Sequence, residues 1–170
     1  GYDSSTVDLI EAHGTSTVVG DATELNSLSE AFRNTPVGET VAVGSIKSQI
    51  GHLKAAAGIA GLIKAIRAVE TGTIPPSAGF STPNENFEWN SKPFYVPTKA
   101  KSWKASSQHP RRAGISSFGF GGTNFHCAIE SFDIEYHTKL ANEFDARRVA
   151  WLNPSAKSKS VTPVTTMTHS

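Results

Sequence analysis

The chain has 170 residues, 38% of them hydrophobic and 18% charged, and a formal net charge of +1. That is material for one ordinary globular domain plus a tail, and it excludes a general electrostatic pull toward nucleic acid or an anionic membrane. The single cysteine, Cys127, excludes an internal disulfide and fits a reducing cytoplasm.

The chain starts without Met and enters a strand almost at once, as expected of a piece of a longer polypeptide. Val7 to Ala12 mixes β-branched and apolar residues before a His-Gly break and reads as a buried strand. Asp21 to Arg33 follows as a helix, with Ala22, Leu25, Leu28 and Phe32 at helical spacing and Asp21 with Glu24 as a capping-box-like start. After the Asn34, Pro36, Gly38 loop, Val41 to Ile46 is a second short buried strand.

Leu53 to Thr71 carries the strongest helical pattern and would be roughly 28 Å long. Lys64, Arg67 and Glu70 share one stripe, and small residues cover most of the rest, which predicts close packing on several sides. Lys54, Lys64 and Arg67 interrupt this apolar stretch, so it is not a membrane span. Gly72 ends the helix, with Pro75 and Pro76 beyond. Past an irregular stretch at 75–93, strands are predicted at Phe94 to Pro97, Arg112 to Phe118 and Thr123 to Ser131. The last two flank a turn at Gly119, Gly121 and Gly122. Alternating strands and helices predict an α/β layered fold with functional residues at C-terminal strand ends. Residues 1–131 read as the folded region. Residues 132–170 read as a linker or tail, partly disordered, where Leu140, Phe144 and Leu152 support a weakly amphipathic helix and the last ten residues are Thr-rich.

Three stretches put a histidine or a glycine turn at a strand end: EAHGTST (11–17), GSIKSQIGHLKAAAG (44–58) and SFGFGGTNFH (117–126). In this order they resemble the β-ketoacyl synthase (ketosynthase) family of fatty acid and polyketide synthases, from about Val7 to Ser131. Ser16, where the family usually has EAHGTGT, and VVGDATEL after it look most like modules of polyunsaturated fatty acid synthases. The resemblance implies the C-terminal half of a thiolase-like fold and a decarboxylative Claisen condensation. Its substrates would be an acyl thioester and a malonyl group on acyl carrier protein, which brings its own phosphopantetheine; no further cofactor is implied. The partners implied are that carrier protein, the N-terminal half of the ketosynthase and a second copy of the parent enzyme.

By the same resemblance, His13 and His52 match the two family histidines, neutral imidazoles that donate hydrogen bonds to a thioester oxygen as enolate charge builds. His52 lies before the long helix, whose dipole disfavours the imidazolium form. Lys47 matches the lysine that orders the charge network and Glu24 the carboxylate paired with it, although a solvated lysine and a capping-box Glu24 are the plain alternatives. Gly119, Phe120, Gly121 and Gly122 match the glycine turn beside the acyl pocket, with Phe120 either an aromatic gate or a core residue. The family nucleophile is a cysteine N-terminal to EAHGT. Cys127, inside a strand, reads instead as a buried structural cysteine, and His126-Cys127 has no metal spacing. A chain holding these histidines without that cysteine is expected to be inactive alone. It should also expose unpaired strand edges and an apolar helix face. The alternatives are a non-catalytic scaffold of a split synthase, a thiolase built on Cys127, and a hydrolase built on Ser16 or Ser45. The last lacks a G-x-S-x-G elbow.

Overall fold

A computed structural model describes residues 2–38 and 40–152. They form β1 (Leu9–Glu11), α1 (Val18–Ala31), β2 (Val41–Gly44), α2 (Lys47–Ile50), α3 (Ala57–Thr71), β3 (Thr73–Ile74), β4 (Phe94–Tyr95), β5 (Lys101–Ser102), β6 (Arg112–Phe118), β7 (Asn124–Glu130) and α4 (Ile134–Leu152). Two compact units divide the chain, Gly1–Ser131 and Phe132–Ser170. The second is built on α4, on which Leu140 and Phe144 are exposed; the Thr-rich end lies outside the described residues. No helix among the described residues is long and apolar enough to cross a membrane.

In the first unit five strands form one sheet in the order β4-β2-β1-β6-β7. The first four run parallel, and β7 returns antiparallel to β6, with Phe118 opposite Asn124 and Arg112 opposite Glu130. Strand alternation sorts the side chains between two layers. Ile10, Val41 and Val43 pack with Leu25 and Leu28 of α1, with Phe32 at its C-cap, and with Phe87 and Phe94. Leu9, Ala42, Ala113 and Ile115 face Ala65, Ala68 and Val69 of α3 on the other side, along with Ile74 and Trp103. β4 and β7 are the sheet's edges, as expected.

The long helical pattern resolves into a 3-10 turn at Lys54–Ala56 followed by α3, which Gly72 ends in the left-handed conformation at φ 63°. The close approach of α3 to the sheet depends on its small residues. A Cβ at Gly61 would stand 3.0 Å from Cγ of Glu11. Packing on several sides does not hold: Ile59, Ile63 and Ile66 are 55%, 57% and 45% exposed. They fall at helical spacing, so they form one apolar row turned away from the sheet. The stripe of Lys64, Arg67 and Glu70 also divides: Arg67 and Glu70 pair in solvent, whereas Lys64 turns inward to Glu11.

Replacing Gly61 by Val overpacks the seam between α3 and β1. A loss of about 1–3 kcal/mol in stability is expected, read as a lower urea midpoint at unchanged m-value.

Candidate functional site

The site is assembled where the chain leaves β1 and β2 at their C-terminal ends. After Glu11 the chain turns through His13 and Gly14 and enters α1 at Val18, with Thr17 as N-cap. Gly14, at φ +44°, lets this loop lie on the β2–α2 turn; a Cβ there would sit 2.9 Å from Cβ of Ser45. Two carboxylates of α1 reach back to the loop. Glu24 accepts the N–H of His13 at 2.7 Å and of Gly14 at 2.9 Å, and Asp21 accepts the N–H of Ser16 at 3.1 Å. Glu24 is therefore not the third residue of a capping box: α1 starts three residues earlier than predicted and places it a turn further in.

Ser16 stands at φ +61°, left-handed backbone that costs a residue with a Cβ about 1–2 kcal/mol. This gives a physical reason for glycine in the usual EAHGTGT pattern.

Lys47 opens α2 and donates to the carbonyl oxygen of His13 at 2.5 Å. It does not grip Glu24 directly; both hold the same stretch of backbone, one from each polar side. Burial lowers the lysine's pKa, and the negative charges of Glu11 and Glu24 work against that shift. Burial raises the pKa of Glu24 from the usual carboxylate value, opposed by the two N–H donors and by Lys47.

His13 and His52 meet edge to face, with ring centroids 5.7 Å apart and planes at 84°. The Nδ1 of His13 accepts the N–H of Phe118 at 3.2 Å, and the Phe118 ring lies 5.2 Å from it. The Nδ1 of His52 accepts the N–H of Lys54 at 2.9 Å. An Nδ1 that accepts a backbone N–H has no proton of its own, so each neutral ring carries its proton on Nε2. Both rings are thereby set as Nε2–H donors. Burial, then the positive charge of Lys47 and the neighbouring His52, hold the pKa of His13 below the ordinary imidazole value. For His52 the helix-dipole expectation gives way to this hydrogen bond, because α3 begins at Ala57, five residues on and beyond a 3-10 turn. A dipole effect confined to the first helical turn is remote there.

The predicted residues therefore divide. His13, His52, Lys47 and Glu24 come together, and Phe118, unforeseen, orients His13. Gly119 donates to the Thr123 carbonyl at 2.9 Å, and Gly121 and Gly122, at φ +79° and +85°, turn the chain between β6 and β7. Phe120 at its tip is wholly exposed and packs in neither hydrophobic core of this chain. Cys127 is also exposed rather than buried, because it lies on the edge strand β7. Beside the His13 loop, Gly14, Ser16 and Thr17 line an open groove of about 590 Å³ together with residues 77–86.

Sequence reading missed Glu11 and Lys64. Glu11 is 2% exposed, its Oε2 lies 2.7 Å from the Lys64 ammonium, and its Oε1 accepts the N–H of Ile46 at 2.5 Å. The signal was an acidic residue inside a strand that is otherwise apolar, facing the small-residue helix.

Residues 1–81 match the β-ketoacyl synthase C-terminal domain, and residues 83–168 match the ketoacyl-synthetase C-terminal extension. The chain belongs to the β-ketoacyl synthase family. It is 43% identical over 136 residues to polyketide synthase PksL of Bacillus subtilis, covering 79% of this chain and 3% of that protein. It is 46% identical over 131 residues to a phenolphthiocerol/phthiocerol polyketide synthase of Mycobacterium tuberculosis, covering 76% of this chain and 7% of that one. Among solved structures, the ketosynthase from module 6 of the Bacillus subtilis bacillaene synthase superposes with a TM-score of 0.71 at 43% identity. That match covers 76% of this chain and 24% of the other. The chain thus spans a small part of these synthases and about a quarter of a solved ketosynthase chain. Its α/β fold is the C-terminal part of the thiolase-like ketosynthase fold.

Two outcomes follow from the geometry. Nitrogen-15 NMR of the imidazoles should show the Nε2–H tautomer in the neutral rings of His13 and His52, and a His13 pKa below 6.5 that climbs toward 6.5 in Lys47→Met. Ser16→Gly should stabilise the chain by about 0.5–1 kcal/mol in denaturant titration, the relief of left-handed strain less the entropy of an added glycine.

Proposed function

We propose that this chain supplies the decarboxylation half of a ketosynthase site, with His13 and His52 as paired oxyanion donors in a decarboxylative Claisen condensation. The observation that carries this reading is the pair of facing rings, each with Nδ1 occupied by a backbone N–H. When a malonyl thioester loses carbon dioxide, the electron pair of the broken C–C bond moves onto the thioester oxygen as an enolate. Two Nε2–H groups directed at that oxygen stabilise the developing charge without transferring a proton. The enolate carbon then attacks an acyl thioester, and the tetrahedral oxyanion collapses with loss of the thiolate.

Neutral imidazoles are required, and the surroundings favour them at His13. Lys47, bound to the carbonyl of the same residue, discourages a second positive charge on the ring. Its own charge is held by Glu11 and Glu24. The acyl group would sit on a cysteine of the ketosynthase portion that this chain does not span. Cys127 is a poor candidate: it sits within the edge strand β7 and not at a helix N-terminus, the placement that favours a thiolate. Malonyl would arrive on the phosphopantetheine of an acyl carrier protein, and the complete enzyme would act as a homodimer of acyltransferase class.

Joined to the N-terminal portion of a ketosynthase, the chain should support malonyl-dependent carbon–carbon bond formation. Either His13→Ala or His52→Ala should lower the decarboxylation rate by about 10²–10³. Wild-type rates from the double variant would overturn the reading. The 170-residue chain by itself should give no condensation product and no acylated Cys127 by mass spectrometry after incubation with an acyl thioester.

A further inference from the structure

Lys64 has no place in the chemistry just described and Glu11 enters it only through the charge of Lys47, yet the two form the most deeply buried ion pair of the described residues, with side chains 3% and 10% exposed. Such a pair is weak evidence for stability, because desolvating both charges offsets most of their attraction. Its contacts suggest another use. Oε2 of Glu11 is occupied by Lys64 of α3, which leaves Oε1 for the N–H of Ile46. Ile46 is the N-cap of α2 and has no side-chain cap of its own. From there α2 runs only four residues to Gly51, and His52 follows. Lys47, the first residue of α2, holds the carbonyl of His13. Glu11 itself is two residues before His13 in the chain. One carboxylate thus fixes the start of the segment that carries Lys47 and His52 against the strand that carries His13.

We propose that Glu11, oriented by Lys64, is a positioning residue that sets the Lys47–His52 segment against His13 and ties the long helix α3 to the geometry of the site. Its significance for catalysis rests on the oxyanion reading of the two histidines; its structural claim does not. Gly61 makes room for it, since any side chain there would meet Glu11. The groups facing this cluster are few: Lys64 from α3 and Lys47 from α2 on Glu11, Glu11 from β1 and Glu24 from α1 on Lys47, and Lys47, His52 and Asp21 on His13. Removing the Glu11 charge takes away one of two anions that keep Lys47 protonated, so Lys47 should titrate at lower pH.

The test uses the full 170-residue chain and Glu11→Gln, Lys64→Met, their double variant, and Lys64→Arg. In Glu11→Gln and the double variant, NMR should show the Lys47 ammonium titrating at lower pH and weakened ring-to-ring contacts between His13 and His52. The double variant, a neutral pair of similar volume, should keep the parent's unfolding midpoint, which separates positioning from stability. Lys64→Arg, which preserves the pair, should keep both signals. Parent-like Lys47 titration and ring contacts in the double variant would overturn the proposal; should that variant not fold, the same result in Glu11→Gln would do so. In a ketosynthase completed with an N-terminal portion, Glu11→Gln should lower kcat about 10- to 100-fold with KM for the malonyl substrate little changed. The alkaline limb of its pH profile should move to lower pH. Failure of condensation in the parent enzyme would refute the functional reading and leave the NMR result standing.

Discussion

The backbone of His13 and Gly14 governs the rest of the site. Its two N–H groups belong to Glu24 and the His13 carbonyl to Lys47, so a carboxylate and an ammonium grip the chain from opposite sides. Charge-assisted hydrogen bonds of this kind are about twice as strong as neutral ones. The imidazole of His13 is left free of these tasks. Its Nδ1 is committed to the N–H of Phe118, which leaves Nε2 as the donor. The charges thus act on the backbone, while the neutral ring presents an Nε2–H donor.

The arrangement has an electrostatic cost. Glu11 and Glu24 are both buried, and burial raises the pKa of each. That cost is offset by partners from different elements: α3 supplies Lys64, the start of α2 supplies Lys47 and the N–H of Ile46, and the loop supplies two N–H groups. Removing one partner leaves a buried charge unmatched, which is more damaging than removing a pair. The network consequently ties β1, α1, α2 and α3 into one unit around a small number of polar atoms.

Much of this was legible in the sequence. β6 was predicted residue for residue, and β1, β2 and the helix ending at Gly72 within a few residues, because hydrophobic periodicity and a C-terminal glycine are local signals. The meeting of the two histidines was legible only through the family resemblance, which implies that both serve one thioester oxygen; nothing local brings residue 13 to residue 52. Errors arose where tertiary context overrides local pattern. Glu24 fitted a capping box, but α1 starts at Val18 because Asp21 and Glu24 are drawn back onto the loop. Lys64 fitted a solvated stripe with Arg67 and Glu70, but a buried glutamate on the sheet claims it. Cys127 read as a buried strand residue, yet that strand lies at an edge and is exposed from Asn124 to Ala128.

The same physics explains why a site can be preorganised and still depend on being covered. A hydrogen bond from an imidazole N–H to an enolate is worth most where water is excluded, since in water the oxygen already has donors. In this chain His52 is exposed, and so are Leu53 and the row of Ile59, Ile63 and Ile66 on the helix that follows. An apolar face continuous along α3 and beginning close to His52 is the surface expected to bury against a partner layer. Such burial would dry the histidine pair and strengthen its two donors together. Under the proposed function, the ketosynthase portion that brings the acyl-bearing cysteine would also lower the local dielectric around the enolate. Nucleophile delivery and oxyanion stabilisation would then be two results of one packing event, with α3 linking them through Lys64 and Glu11.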